Sequence, residues 1–210
     1  DFSFVKNFII VTTTGIIRKP EATPKSTAKL AMKHGVEPLL SSLYVALKKM
    51  AVWSAKSKNK SSTKPKKSNV KKLNLETNIG KVTIELFEKL APKHVERILL
   101  LANKGHYDNV VFHRVIDGFM AQTGDVQFGC LKKDYIENRI GTGGSNEPDL
   151  ESEFSSEPFK RGILGMARSQ DPNSANSQFF IMLEDGPHLN NQYTVFGKVL
   201  KGMDIVEKIK

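Results

Sequence analysis

The 210-residue sequence is poor in several features, and each scarcity removes a class of protein. A single cysteine, Cys130, excludes an intramolecular disulfide framework and any cysteine-rich zinc site. No run of 18 consecutive apolar residues occurs, which excludes a membrane-spanning helix. The histidines His34, His94, His106, His113 and His188 lack metal-ligand spacing. No Gly-x-Ser-x-Gly elbow exists, and the glycine-rich Gly141-Thr142-Gly143-Gly144 lacks the Lys-Ser/Thr that completes a phosphate loop. It reads instead as a turn or a groove wall. A strict alternation of strands and helices is missing, which argues against a Rossmann-like sheet.

Acidic residues are scarce only in the first third. Residues 1–72 hold 16 Lys/Arg and three acids, Asp1, Glu21 and Glu37. Residues 73–210 hold 16 Lys/Arg and 19 acids, so the formal charge of +10 belongs to an N-terminal extension on a mildly acidic body. The hydrophobic fraction of 39% is that of a globular chain and excludes disorder throughout.

Three pieces make up the extension. Phe2–Ile17 is apolar but broken by Lys6, Asn7 and Thr12–Thr14; it is a poor signal peptide and is expected to be weakly ordered. Pro38–Trp53 carries Leu40, Leu43, Leu47 and Met50 at heptad spacing and predicts a short basic amphipathic helix. Such a helix either packs on the body, fraying in water, or serves a membrane surface or import. Ser54–Lys72 has eight lysines, six Ser/Thr and no acid, and predicts a disordered linker. Contact of this tail with nucleic acid or an anionic membrane would be non-specific and salt-sensitive. A cytoplasmic location is expected, with organelle import and secretion left open. The first residue is Asp rather than Met, as in a fragment or processed form.

The body, residues 73–210, predicts many short strands and two helices. Leu73–Glu76 and Lys81–Phe87 read as a hairpin, Pro92 opens a helix that Gly105 stops, with Val95, Ile98, Leu99 and Ala102 as its expected apolar face, and a second helix starts at Met203. Further strands are predicted at Val110–Ile116, Met120–Thr123, Ile163–Ala167, Gln178–Met182 and Thr194–Val199. The pattern is that of an antiparallel barrel or sandwich. Alternation along Val110–Ile116 places Phe112, Arg114 and Ile116 on one face. An unpaired guanidinium is too costly in a dry core, so Arg114 is expected at an outer groove with Met120, Gln122, Gln178 and Phe180. From pattern alone, a solvated surface arginine and a Phe/Met core are the more usual reading, and the groove is the alternative.

The stretch Phe112-His113-Arg114-Val115-Ile116-x-Gly118-Phe119-Met120-x-Gln122-x-Gly124-Asp125 resembles the first signature of the cyclophilin peptidyl-prolyl isomerases. Gly141–Gly144, Gly165-Met166-Ala167, Asn176-Ser177-Gln178-Phe179-Phe180-Ile181 and Val195-Phe196-Gly197-Lys198-Val199 follow in the family's order. Met166–Ala175 is similar to the bacterial type. The resemblance runs from Leu73 to Lys210.

It implies a mainly β fold, a closed eight-stranded antiparallel barrel capped by two helices, and an enzyme that rotates X–Pro amides in unfolded or flexible polypeptides without a cofactor. A non-catalytic proline-binding module is the alternative, and a monomer is expected. By resemblance Arg114 is catalytic, with Phe119 and Gln122 beside it and Gln122 holding the substrate backbone. Phe119, Met120, Phe180 and Leu189 would form the proline pocket, and Ala167, Arg168 and Gln178 the adjoining groove. His188 stands where many members carry a tryptophan linked to tight cyclosporin binding, so weak drug binding is expected. Tyr193 replaces a pocket histidine of animal members. Arg168 replaces an asparagine that acts mainly through its backbone. The chain stops within the second helix, so the family's last strand is expected to be missing and a barrel edge to lie unpaired.

Overall fold

The computed structural model describes residues 8–12, 70–133 and 135–209. The predicted helix at 38–53 and the linker up to residue 69 lie outside them. Strand β1 is Phe8–Thr12, β2 Lys72–Thr77 and β3 Gly80–Leu86. Helix α1 spans Pro92–Asn103. Next come β4 (Val110–Val111), β5 (Arg114–Ile116), β6 (Met120–Thr123), β7 (Ile163–Met166) and β8 (Phe179–Met182). A 3-10 turn at Pro187–Leu189 precedes β9 (Val195–Lys201) and α2 (Met203–Val206).

The β2–β3 hairpin forms where the sequence predicts it, pairing Leu73 with Ile84 and Leu75 with Val82. Gly80 closes the turn at φ +149°, a conformation that a side chain rarely adopts. Alternation then buries Val82, Ile84 and Leu86 and leaves Lys81 exposed. The strands form one antiparallel sheet in the order β4-β1-β2-β3-β9-β7-β8-β6-β5. Its two ends, β4 and β5, are separated in the chain by only Phe112 and His113, so the sheet curls round. The Thr123 hydroxyl donates to the Val111 carbonyl (2.9 Å), and the His113 N–H donates to the Gln122 carbonyl (3.1 Å). Inside lie Leu73, Leu75, Ile84, Phe179, Ile181 and Phe196, with Val95, Ile98 and Leu101 of α1 against them. Each such side chain contributes about 1.5–3 kcal/mol on burial.

Helix α1 has no side-chain cap of its own. Glu153, about 60 residues on, supplies one: its carboxylate accepts from the Lys93 and His94 N–H groups (3.2 and 3.1 Å) and from His94 Nδ1 (2.7 Å). A carboxylate there also suits the positive end of the helix dipole.

The structure corrects four expectations. Phe2–Ile17 contains a strand, β1, which belongs to the same unit as the residues after Val70. Ile9 to Thr12 pair with Thr77 to Asn74, and Phe8 and Ile9 pair with Val111 and Val110. The side of β2 away from β3 is therefore paired rather than open, because β1 satisfies both β2 and β4. The strand predicted over Val110–Ile116 breaks at Phe112–His113: β4 pairs with β1, whereas β5 pairs with β6. Alternation does not survive the break, and Phe112 is buried at 6% exposure while Arg114 is exposed. On α1 it is Leu101, not Leu99, that is fully buried, because the core-facing stripe is His94, Val95, Ile98, Leu101 and Ala102.

Candidate active site

Strand register puts the predicted site residues in one row. Arg114 on β5 pairs with Gln122 on β6, Gln122 pairs with Phe180 on β8, and Phe180 pairs with Gly165 on β7. Directly opposed residues of an antiparallel ladder share a face, and adjacent strands are about 4.8 Å apart. The row thus carries a guanidinium, an amide, an aromatic ring and an empty position within four strand widths. Met120, two residues before Gln122, falls on the same face.

The empty position shapes the pocket floor. A Cβ on Gly165 would stand 2.4 Å from the Phe180 ring and 2.6 Å from the Phe159 ring. These two rings stack with centroids 5.8 Å apart, and Tyr193 meets Phe180 edge-on at 5.8 Å. Phe180, Met120, Met182, Leu189, Ile163, Val195 and Phe159 form an apolar cluster, with Phe119, Ala167 and Tyr193 partly buried against it. Above it opens a hollow of about 250 Å³ lined by Arg114, Phe119, Met120, Gln122, Ala167, Arg168, Phe180, Leu189 and Tyr193. All nine were singled out from the sequence. His188 was too, but it does not line the hollow: it is exposed at the rim, its ring 5.3 Å from that of Phe119.

Gln178 lies in a second, larger hollow of about 480 Å³, which shares Gln122, Ala167 and Arg168 with the first. Its remaining wall is polar, including Gly141–Ser145, Asp149, Ser169, Ser174 and Asn176. Asp125, fully buried, organises this wall. Its Oδ2 accepts from the Gly141 and Gly143 N–H groups (2.7 and 3.0 Å), and its Oδ1 accepts from Phe128 and Gln127 (2.8 and 3.1 Å). A Cβ on Gly143 would come within 2.4 Å of Asp125 Oδ1. The carbonyls of Gly141 and Gly143 accept from Gln178 Nε2 (3.1 and 2.7 Å), and Gln178 Oε1 accepts from Gln122 Nε2 (2.9 Å). Gln122 Oε1 then accepts from Arg114 Nη1 at 3.5 Å. One buried carboxylate thus orients two amides and, through them, Arg114. Asp125 and Asn176 both lie within the motifs that carry the resemblance but have no expected role there, and Phe159 lies outside those motifs.

Arg114 has no carboxylate partner among the described residues. His113, next to it, is tucked under Gly141 near Gln178 and Val111, and among the described residues no group meets either ring nitrogen in full hydrogen-bonding geometry. Burial lowers its pKa, outweighing the opposing pull of Asp125. Burial therefore favours its neutral form. Among the described residues no three His, Cys, Asp or Glu side chains converge to hold a metal.

The site can therefore hold a small apolar ring beside a free, permanently charged donor. Comparison with known proteins shows the family. The family described as cyclophilin type peptidyl-prolyl cis-trans isomerase/CLD matches residues 72–210. A probable peptidyl-prolyl cis-trans isomerase of Brucella suis is 66% identical over 131 residues, which are 62% of this chain and 67% of that protein. One from Arabidopsis thaliana is 36% identical over 141 residues, 64% of this chain and 77% of its own. Among solved structures, a Cryptosporidium parvum cyclophilin-type isomerase, crystallised in the presence of the dipeptide Ala-Pro, superposes with a TM-score of 0.57 at 33% identity, over 66% of this chain and 85% of that one. A cyclophilin from Hirschia baltica gives 0.55 at 26% identity, over 65% and 66%. The chain belongs to the family of cyclophilin-type peptidyl-prolyl cis-trans isomerases.

Proposed function

We propose that this protein catalyses rotation about X–Pro amide bonds in flexible polypeptides, with Arg114 donating a hydrogen bond to the prolyl nitrogen at the transition state. The observation that carries the reading is a guanidinium without a carboxylate partner among the described residues, at a hollow of about 250 Å³ floored by the apolar side chains of Phe119, Met120, Phe180 and Leu189. The relative crystallised in the presence of Ala-Pro supports the choice of substrate.

The chemistry needs no covalent step. Amide resonance sets a barrier of about 18–20 kcal/mol, and uncatalysed exchange takes about 10–100 s. Twisting the amide ends its resonance and leaves a lone pair on nitrogen. A donor placed there binds the twisted amide more strongly than either planar one, which is what lowers a barrier. One preorganised donor contributes about 3–4 kcal/mol. Turnover near 10³ s⁻¹ would require about 6–7 kcal/mol in all. The remainder falls to holding the ring against Phe119, Met120, Phe180 and Leu189, while Gln122 holds the backbone. A role as a folding helper follows if the substrates are unfolded chains.

The test is magnetisation-transfer NMR on an Ala-Pro peptide. The native chain should speed exchange, with a rate flat from about pH 6 to 9 because arginine does not titrate there. A bell-shaped profile would transfer the chemistry to a histidine such as His113 and remove Arg114 from its role.

A further inference from the structure

The two hollows meet at Gln122, Ala167 and Arg168, and the way Arg168 is held gives it more than the role of a groove wall. Its Nε and Nη2 donate to the Gln192 carbonyl (3.3 and 3.0 Å), and its Nη1 donates to the carbonyls of Ser169 and Gln170 (2.8 and 3.2 Å). The guanidinium also lies 4.5 Å over the Tyr193 ring. Four of five N–H donors are thus engaged by neutral acceptors. These contacts fix the position of the group without cancelling its charge. Among the described residues neither Arg168 nor Arg114 has a carboxylate partner. Among the described residues the only carboxylate lining either hollow is Asp149, whose Oδ1 already accepts from Asn176 Nδ2 (2.9 Å), and Asp125 is buried behind the wall with its oxygens turned to backbone N–H groups. Arg168 thus stands between the hollows as a fixed cation that no carboxylate meets directly.

We propose that Arg168 makes this site selective for prolines with an acidic residue, Asp or Glu, within two positions in the chain, the acid being drawn to the polar hollow while the proline occupies the apolar one. The two hollows share Gln122, Ala167 and Arg168, and Arg168 is the one charged side chain among the three, so a chain occupying both hollows lies beside its charge. The guanidinium is already ordered by its carbonyl bonds, so an incoming carboxylate need not immobilise it. The inference rests on the isomerase reading for its substrate, but its effect can be read from binding alone.

The experiment uses the full chain and proline peptides bearing Glu, Gln or Lys, one at a time, at the two positions before and the two after proline. Exchange NMR gives kcat/KM, and chemical-shift titration gives affinity. At low salt the Glu peptide should exceed the Lys peptide by about tenfold at one position, with Gln between, as expected for one charge pair near a surface. About 1 M salt should compress the ratio, because screening shortens the field to a few ångströms. Arg168→Gln should bring it to within about twofold, whereas Arg168→Lys, which keeps the charge but loses the planar clamp, should retain part of it. Equal values for Glu and Lys at every position overturn the proposal. So does a Glu preference that survives Arg168→Gln. Failure of the neutral Gln peptide to be isomerised would strike the isomerase reading instead, and the affinity ratio would still decide the role of Arg168.

Discussion

The two hollows share a wall but are built by different physics. The proline-sized one is shaped by side-chain volume: Phe180 and Phe159 stack over the bare Gly165, and Met120, Met182 and Leu189 fill in behind. The larger one is shaped by backbone held in place by hydrogen bonds. Asp125 pins the Gly141–Gly143 strap, while Asn176 accepts from Ser145 N and Oγ (both 2.7 Å) and donates to the Glu147 carbonyl (2.9 Å). An apolar cluster spreads a loss over many small contacts. A polar scaffold concentrates it in one or two buried atoms, each costly to leave unpaired. The two hollows should therefore fail differently.

The largest expected effect breaks the apolar side at its rim. Arg114→Ala should lower kcat/KM on Ala-Pro by about 10²–10³ with an unchanged thermal midpoint, since the side chain is exposed and makes one long contact. Full activity in that variant would end its catalytic assignment. Phe180→Ala should instead unfold as well as inactivate, costing about 3–5 kcal/mol in chemical denaturation, because the ring is 5% exposed and leaves a cavity over Gly165.

Asp125→Ala tests the polar side. It strips the acceptor from four N–H groups, and a loss of about 2–4 kcal/mol is expected. Its kinetic mark should be selective: KM should rise more for a longer peptide that reaches the second hollow than for a dipeptide confined to the first. Equal effects on both would mean that the two hollows are one mechanical unit. A control lies away from both. Deleting residues 1–15 removes β1 from between β2 and β4, and should lower the melting midpoint by about 5 °C while leaving the relative rates on long and short peptides unchanged.

The smallest effect concerns pH. His94 and His113 both have pKa values lowered chiefly by burial. Stability gained by keeping them neutral is complete above the unfolded value near 6.5 and is lost as pH falls below it toward the folded values, because the unfolded chain then binds more protons. Thermal melts between pH 7.5 and about 5 should show this decline, and His113→Gln should shrink it. A midpoint that rises on acidification would mean that these rings are charged in the fold.

Much of the apolar hollow was legible in the chain because its residues sit at alternate positions of short strands, where period 2 fixes the face. The row Arg114, Gln122, Phe180 needed only correct strand pairing to assemble. His188 stands at the rim beside Phe119, because a 3-10 turn rather than strand alternation directs its ring. Asp125 and Asn176 were unreadable as scaffold, since an acid or amide in a loop looks alike whether it faces water or caps a strap 16 residues away. Strand β1 was illegible for a related reason: its partners lie more than 60 residues along the chain, beyond any local periodicity.

Composition and local pattern were enough to establish an antiparallel β body with two helices and a basic N-terminal third, whereas the cluster of Arg, Gln, Phe and Met suited to a proline ring was assigned only by the motif resemblance. The first two depend on propensity and alternation, which act between near neighbours. The fold alone decided that Arg114 goes without a carboxylate partner, that Arg168 is clamped where the two hollows meet, and that β1 stands between β2 and β4. Charge compensation, burial and edge pairing are properties of what meets in space, and contacts across tens of residues leave no period in the chain.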